Sequence, residues 1–175
     1  MANYFDNFYW ANESFPKISD NELKQIGIIY SNLLTNKTNK IQIANRRFRY
    51  SYLRDNEEDS ILDIIIGLET LLGDTEKTEI THKLALRTAK LISVFNKESK
   101  ALEIFESIKK IYEFRSAVVH GSNKIESKRE IKIKSVEMPI KTIEVANNYL
   151  REVIGILIQH PTYLDPKEID KLLLQ

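Results

Sequence analysis

The chain has 175 residues, of which 42% are hydrophobic and 29% charged, proportions typical of one globular domain. Its formal net charge of +1 excludes nucleic-acid binding through a global positive field, so any such contact must come from local patches. It contains no cysteine, which excludes disulfides, thiolate metal sites and cysteine nucleophiles.

The chain begins with an aromatic-rich segment, MANYFDNFYWANESF, that lacks the basic start and apolar stretch of a secretory signal. So much aromatic surface is rarely left in water, so we expect it to lie across the rest of the protein or on a partner. No apolar run approaches the ~20 residues that span a bilayer. We therefore expect a cytoplasmic protein with no membrane partner.

Helical periodicity dominates the remaining sequence. Ser19 and Glu22 have the S-x-x-E spacing of a capping box and predict a helix that runs to about Leu34. Further helices are predicted over about 40–54, 59–72, 79–94, 97–120 and 140–159. Asp165 and Pro166 mark the cap and the first position of a short final helix. The alternating sequence IKIKSV (131–136) predicts a short strand or an extended loop.

Three glycines carry specific expectations. Gly73 should end the third helix in the left-handed conformation that glycine adopts most readily. Gly67 and Gly155 fall inside predicted helices, where glycine costs ~1 kcal/mol relative to alanine. We expect both to allow close helix–helix approach. No repeat or low-complexity linker divides the chain, so we predict one all-α domain over residues 1–175 with a four-helix bundle as its core.

The heptapeptide RSAVVHG (115–121) places Arg115 and His120 five positions apart. On a regular helix this spacing leaves the two side chains about 140° apart. If Gly121 ends the helix, however, His120 can turn toward the side that the long arginine reaches. The pair could then bind phosphate through the guanidinium and move a proton through the imidazole. The alternative is a structural one, in which His120 caps helix carbonyls and Arg115 makes a surface salt bridge.

The segment around this pair resembles the Apea-like branch of the HEPN superfamily. Three features occur in order, GLETLL (67–72), LALRTAKLI (84–92) and IYEFRSAVVHG (111–121). The likeness covers roughly residues 40–160. It implies a HEPN-like four-helix bundle over residues 39–160, with an N-terminal extension carrying a helix (1–38), an inserted helix and a C-terminal helix (161–175).

The resemblance also implies a function. Many HEPN proteins are metal-independent endoribonucleases in which two protomers form a composite cleft for RNA. Arg115 and His120 would be the catalytic pair, cleaving RNA by attack of the ribose 2′-hydroxyl with no cofactor or metal, and Gly121 would support them. A homodimer acting as a toxin or antiviral defence effector, with an antitoxin or other regulatory protein as partner, is the corresponding expectation.

Ser116 departs from the pattern of this family. Active HEPN nucleases often have Asn, Asp or His directly after the arginine, although serine can still donate a hydrogen bond. The departure keeps open a second interpretation, a catalytically inactive HEPN-like scaffold that binds a nucleotide or a protein. A third is a purely structural helical module that docks through its aromatic N-terminus.

Glu69 lies among apolar neighbours on the third predicted helix and should be partly buried. A buried carboxylate needs a partner, and Arg115 or Arg87 would serve. Glu69 could fix helix register through an ion pair or could orient Arg115. Arg87 has the same two possible roles.

Two basic stretches could guide RNA. Residues 45–54 interleave four arginines with Phe48, Tyr50 and Tyr52, a composition suited to phosphate contact and base stacking. The alternative is that these aromatic residues face the core and the arginines line a solvated face. Residues 124–134 directly follow the Arg115–His120 motif and could equally form a flexible charged loop. Here the predicted substrate-binding residues are Asn123, Lys124, Lys128 and Arg129. The three histidines are too widely spaced to predict a zinc site.

Overall fold

The computed structural model describes residues 17–35, 38–74 and 79–174. Within these ranges the chain forms seven α-helices and one two-stranded antiparallel sheet, which confirms the all-α class. In chain order the elements are α1 (Asp20–Thr35), α2 (Asn39–Leu53), α3 (Glu57–Leu72), α4 (Ile80–Phe95), α5 (Ala101–Val119), β1 (Glu130–Ile131), β2 (Ile140–Lys141), α6 (Thr142–Gln159) and α7 (Pro166–Leu173).

Side-chain caps set several helix starts as the sequence predicts. The Ser19 backbone N–H donates to the Glu22 carboxylate at 2.7 Å, and the Glu22 N–H donates to Ser19 Oγ at 3.3 Å, which is the reciprocal pattern of a capping box. Asp165 accepts from the Lys167 N–H at 3.1 Å, with Pro166 at the first helical position. Between α4 and α5, the Asn96 side chain accepts from the Glu98 N–H at 3.2 Å. This turn delays α5 to Ala101, four residues later than predicted.

The hydrophobic core is centred on α3 and α6, which pack against each other and are surrounded by α2, α4 and α5. The α3 run from Ile61 to Leu72 and the α6 run from Val145 to Ile158 supply most of its buried side chains. Phe114 from α5 is fully buried among them. Because α3 carries apolar residues almost all round, it is enclosed by other helices rather than lying on the surface.

Of Gly67 and Gly155, only Gly67 lies at a close helix–helix approach. A Cβ at Gly67 would lie 2.9 Å from Leu150 Cδ2, so glycine there lets α3 approach α6. At Gly155 nothing lies within 4 Å of such a Cβ, and the expectation of close packing at this position is wrong.

Gly73 ends α3, but not in the left-handed conformation that the sequence suggests. Its φ of −74° and ψ of 156° are extended, and its N–H donates to the Glu69 carbonyl at 2.8 Å. A Cβ would lie only 2.4 Å from that carbonyl oxygen. The reason for glycine is therefore the close backbone contact and not a positive φ.

The segment after α5 returns to the bundle through the small sheet. Strand β1 pairs with β2, with Glu130 opposite Lys141, so only the first residue of the alternating IKIKSV stretch lies in a strand. The buried hydroxyl of Thr142 donates to the Lys128 carbonyl at 2.6 Å, and the Thr142 N–H donates to the Arg129 carbonyl at 2.7 Å. These bonds fix residues 128–131 against the start of α6.

Contacts between helices show which ends lie together. The Ser60 hydroxyl at the start of α3 donates to the Ser51 carbonyl near the end of α2 at 2.8 Å. Arg129, nine residues after His120, binds Glu57 and Glu58 at the same end of α3. The C-terminal end of α2, the N-terminal end of α3 and the segment after α5 therefore meet at one end of the bundle.

Helix α1, at the N-terminal side of the described chain, contributes little to the hydrophobic core. Helix α1 has no buried residue, although Leu33 packs against the core, and its apolar residues Leu23, Ile26 and Tyr30 are exposed. The aromatic residues Tyr4, Phe5, Phe8, Tyr9 and Trp10 lie outside the described residues. No helix in the described part of the chain is long and apolar enough to cross a membrane.

Candidate functional site

The end of α5 has the hydrogen-bond pattern of a Schellman motif. The Ser122 N–H donates to the Ala117 carbonyl at 2.9 Å, and the Gly121 N–H donates to the Val118 carbonyl at 3.2 Å. Gly121 has a φ of +61°, the left-handed conformation that this motif requires of the residue after the cap. The prediction that Gly121 ends the helix is confirmed, and His120 is the cap residue.

His120 is exposed at this helix end. Its backbone N–H donates to the Ser116 carbonyl at 3.1 Å, while its imidazole makes no hydrogen bond to any described residue. The helix carbonyls are satisfied by backbone N–H groups instead. The imidazole nitrogens are thus left for solvent or a ligand, and the expected structural role in capping carbonyls is not seen.

Arg115 is half-buried one turn before the end of α5. Its Cζ lies 5.4 Å from the centroid of the Tyr112 ring, a cation–π distance. No carboxylate in the described residues pairs with the guanidinium, so the alternative of a surface salt bridge is not seen either. An arginine whose guanidinium group lies over an aromatic ring can still donate hydrogen bonds from the N–H groups along the edge of the guanidinium. Within the described chain, no hydrogen bond joins Arg115 to His120.

Glu69 is half-buried as predicted, but its partner is different from the one expected. The Tyr112 hydroxyl donates to Glu69 Oε1 at 3.0 Å, and neither Arg115 nor Arg87 forms an ion pair with this carboxylate within the described residues. Glu69 therefore reaches Arg115 only through the Tyr112 ring, and the expectation of a direct ion pair is wrong.

Tyr112 is the site residue that the sequence analysis did not single out. Its spacing of three residues from Arg115 places both on one helix face, which was the available signal. Burial raises the pKa of the Tyr112 hydroxyl, and the adjacent negative charge of Glu69 raises it further. The hydroxyl is thus held protonated as a donor to Glu69, and Tyr112 connects α3 to the Arg115 side chain.

Arg87 has a structural role at the C-terminal end of α3. Only 4% exposed, it donates two hydrogen bonds of 2.7 Å to Asp170 on α7 and one of 2.8 Å to the Leu72 carbonyl. A further bond of 3.0 Å reaches Asp74. These contacts connect α3, α4 and α7, so Arg87 is a structural residue and does not support Arg115.

A cleft of about 790 Å³ lies beside Arg87, at the C-terminal end of α3. Its lining mixes cations with carboxylates, and those carboxylates already bind Arg87 or cap α7. This cleft has no contact with the Arg115–His120 motif.

The basic loop after the motif is largely engaged in ion pairs. Lys128 Nζ lies 2.6 Å from Glu113, and Arg129 binds Glu57, Glu58 and Glu126 together. Three carboxylates around one guanidinium make Arg129 a structural cation rather than a free phosphate ligand. By contrast, the side chains of Asn123 and Lys124 are exposed and have no hydrogen-bond partner in the described chain.

Ser116 lies half-buried between the two motif residues. Its carbonyl accepts the His120 N–H, whereas its hydroxyl makes no hydrogen bond within the described residues. The Ser116 hydroxyl is therefore available to hydrogen-bond a ligand next to Arg115 in the chain. Residues 17–35, 38–74 and 79–174 contain no group of three or more His, Asp or Glu side chains arranged to hold a metal ion.

The sequence matches no protein-family model, and comparison with curated proteins and with solved structures also finds no match.

Proposed function

We propose that this chain is a metal-independent endoribonuclease of the HEPN type, with Arg115 and His120 as its catalytic pair. The observation that carries the proposal is that both side chains lie at the Gly121 helix end without the structural partners that would otherwise explain them. Among the residues that the structure describes, Arg115 has no carboxylate partner and the His120 side chain caps no carbonyl. The ordered likeness of residues 67–121 to the Apea-like HEPN branch supports the same assignment.

In the proposed reaction the ribose 2′-hydroxyl attacks the adjacent phosphorus, and the bond from phosphorus to the 5′-oxygen breaks. His120 accepts the 2′ proton and returns a proton to the leaving oxygen. Arg115 stabilises the charge that develops on the phosphoryl oxygens through its free donors. The products are a cyclic 2′,3′-phosphate and a 5′-hydroxyl, and DNA is not cut because it lacks the nucleophile.

The proposal also includes an active-site cleft that two protomers form together. One copy leaves the motif open at a helix end, and the exposed polar residues Asn123 and Lys124 follow it in the chain. A homodimer that brings two such ends together would close a cleft around RNA. We place the protein in the cytoplasm, as a toxin or defence effector held in check by an antitoxin or another regulatory protein.

Cleavage of labelled RNA in excess EDTA tests the catalytic pair. Arg115→Ala and His120→Ala should each abolish cleavage by the wild-type protein. Arg151→Ala and His82→Ala are the matched controls, since both residues are exposed and neither has a carboxylate partner in the described chain. Equal cleavage by wild type and all four variants would refute the assignment.

Ser116 favours one alternative, a HEPN-like scaffold that has lost catalysis and binds a nucleotide or a protein. In that case a nucleotide should copurify with the wild-type protein, which would be inactive on several RNAs. Ser116→Asn restores a residue common in active HEPN nucleases. Cleavage by Ser116→Asn but not by the wild type would support the scaffold.

A further inference from the structure

The four arginines of residues 45–54, three in α2 and Arg54 directly after it, divide into two groups that point to different roles. Arg47 and Arg54 each bind Asp63 of α3 at 2.7 Å, and Asp63 is only 2% exposed. These two arginines neutralise a buried carboxylate and hold α2 against α3. Arg46 and Arg49 are exposed and have no carboxylate partner among the described residues.

An exposed aromatic residue accompanies the two free arginines. Arg46, Arg49 and Tyr50 occupy positions i, i+3 and i+4, which places them on one side of the helix. Tyr50 is 37% exposed, and the guanidinium carbons of Arg49 and Arg54 lie 5.7 and 5.8 Å from its ring centroid. Tyr52 is 59% exposed, so of the three aromatic residues only Phe48 packs toward the core as the structural alternative required.

We propose that Arg46, Arg49 and Tyr50 form a binding surface for single-stranded RNA, which we name the α2 surface. Two guanidinium groups without a carboxylate partner among the described residues can each contact a phosphate, and a tyrosine ring flanked by cations offers a face for base stacking. An acidic protein would be attracted by the charges but gains nothing specific from the ring. The combination therefore favours nucleic acid over protein as the partner.

The position of the α2 surface connects it with the segment that follows the proposed catalytic pair. The C-terminal end of α2 meets the start of α3 through the Ser60–Ser51 hydrogen bond, and Arg129 ties the segment after His120 to the same end. RNA held along α2 would thus reach the segment that follows His120 in the chain. This step rests on the proposed nuclease function, whereas binding to the surface can be measured without it.

Binding should be measured in the His120→Ala background, so that the RNA stays intact. The probe is a fluorescein-labelled single-stranded RNA of about 16 nucleotides, a length near the largest site that one single-strand-binding domain covers. Binding is measured by fluorescence anisotropy over a range of salt concentrations. Replacing both Arg46 and Arg49 by Gln should weaken binding about tenfold at physiological salt. It should also lower the slope of log affinity against log salt by about 1.4, which is roughly 0.7 for each lost phosphate contact.

Two further variants separate stacking from charge. Tyr50→Ala should weaken binding about tenfold with an unchanged salt slope, and Tyr50→Phe should restore binding because the ring is retained. Arg151→Gln, which removes an exposed arginine from α6, is the matched control and should change affinity less than about twofold. Equal effects of Arg151→Gln and of the α2 variants would overturn the surface, as would the absence of RNA binding.

Cleavage by the otherwise wild-type chain distinguishes this inference from the nuclease proposal. If Arg46→Gln/Arg49→Gln binds and cleaves RNA like the wild type, the α2 surface is wrong and the nuclease stands. If the wild type binds RNA through the α2 surface but never cleaves it, the surface stands and the nuclease is wrong.

Discussion

The Tyr112 hydroxyl on α5 donates a hydrogen bond of 3.0 Å to Glu69 Oε1 on α3, while the Tyr112 ring lies under the Arg115 guanidinium. One side chain thus satisfies a half-buried carboxylate and also positions a cation that has no carboxylate partner in the described chain. The hydroxyl and the ring have different roles, so substitutions can separate them.

Tyr112→Phe should destabilise the fold but preserve the position of Arg115. A hydrogen bond to a charged group contributes about 1.5–3 kcal/mol, and Glu69 would lose the only partner it has among the described residues. We expect urea unfolding to show a loss of about 1–2 kcal/mol, with RNA cleavage within about twofold of wild type. Tyr112→Leu also removes the ring and should lower cleavage about tenfold. Equal cleavage by the Phe and Leu variants would show that the ring does not position Arg115.

Gly73 and Gly155 should respond in opposite directions to replacement by alanine. A Cβ at Gly73 would lie 2.4 Å from the Glu69 carbonyl oxygen, so the end of α3 must shift and stability should fall. Gly155 is in a helix with open space around the new methyl group, so alanine should stabilise it by about 0.5–1 kcal/mol. Urea midpoints of the two variants test this, and a stabilised Gly73→Ala would contradict the close contact.

Arg87→Met should be strongly destabilising. The substitution leaves the Leu72 carbonyl without its side-chain donor and Asp170 without its partner, and breaking a buried ion pair costs about 3–5 kcal/mol. Because Asp170 is partly exposed, we expect a loss near 3 kcal/mol in urea unfolding. Arg87→Lys should recover little of it, since lysine cannot make the two parallel bonds. As the control on α7, Lys171→Met removes an exposed pair with Glu168 and should leave the midpoint nearly unchanged.

Acid should destabilise the protein through Glu57. Burial alone would raise the pKa of Glu57, but hydrogen bonds from Arg129 and Lys141 outweigh it, and the pKa lies below its ordinary value. A carboxylate with a lowered folded-state pKa contributes its full stability above the unfolded pKa, about 4.3, and loses it as pH falls through the folded value.

The urea midpoint should therefore be insensitive to this group between about pH 7 and 5 and should fall below about pH 4. Arg129→Met removes the main cause of the lowered pKa, so its midpoint should fall less steeply over the acid range. A parallel acid response in wild type and Arg129→Met would contradict this origin.

Local signals in the sequence predicted much of the fold. The Ser19–Glu22 capping box and the Asp165–Pro166 start depend only on residues within one turn, and both are confirmed. The Gly121 helix end is equally local and is confirmed by its positive φ. Gly73 was assigned to the right place for the wrong reason, because its contact with the Glu69 carbonyl depends on how the chain leaves α3.

Local signals could not predict which side chain of another helix a given residue binds. The sequence indicated that Glu69 needs a partner and offered Arg115 and Arg87 on other helices, but packing selected Tyr112 instead. The arginines of residues 45–54 gave the same difficulty. Only the position of Asp63 separates Arg47 and Arg54 from Arg46 and Arg49, which have no carboxylate partner in the described part of the chain.

The chemistry of the RNA ends tests the central claim most directly. After incubation in excess EDTA, the wild-type protein should leave cyclic 2′,3′-phosphate and 5′-hydroxyl ends. Arg115→Ala and His120→Ala should each produce at least about 100-fold less of them. Undiminished cleavage by either variant, ends that carry a 5′-phosphate, or no cleavage of several different RNAs by the wild type would contradict the account.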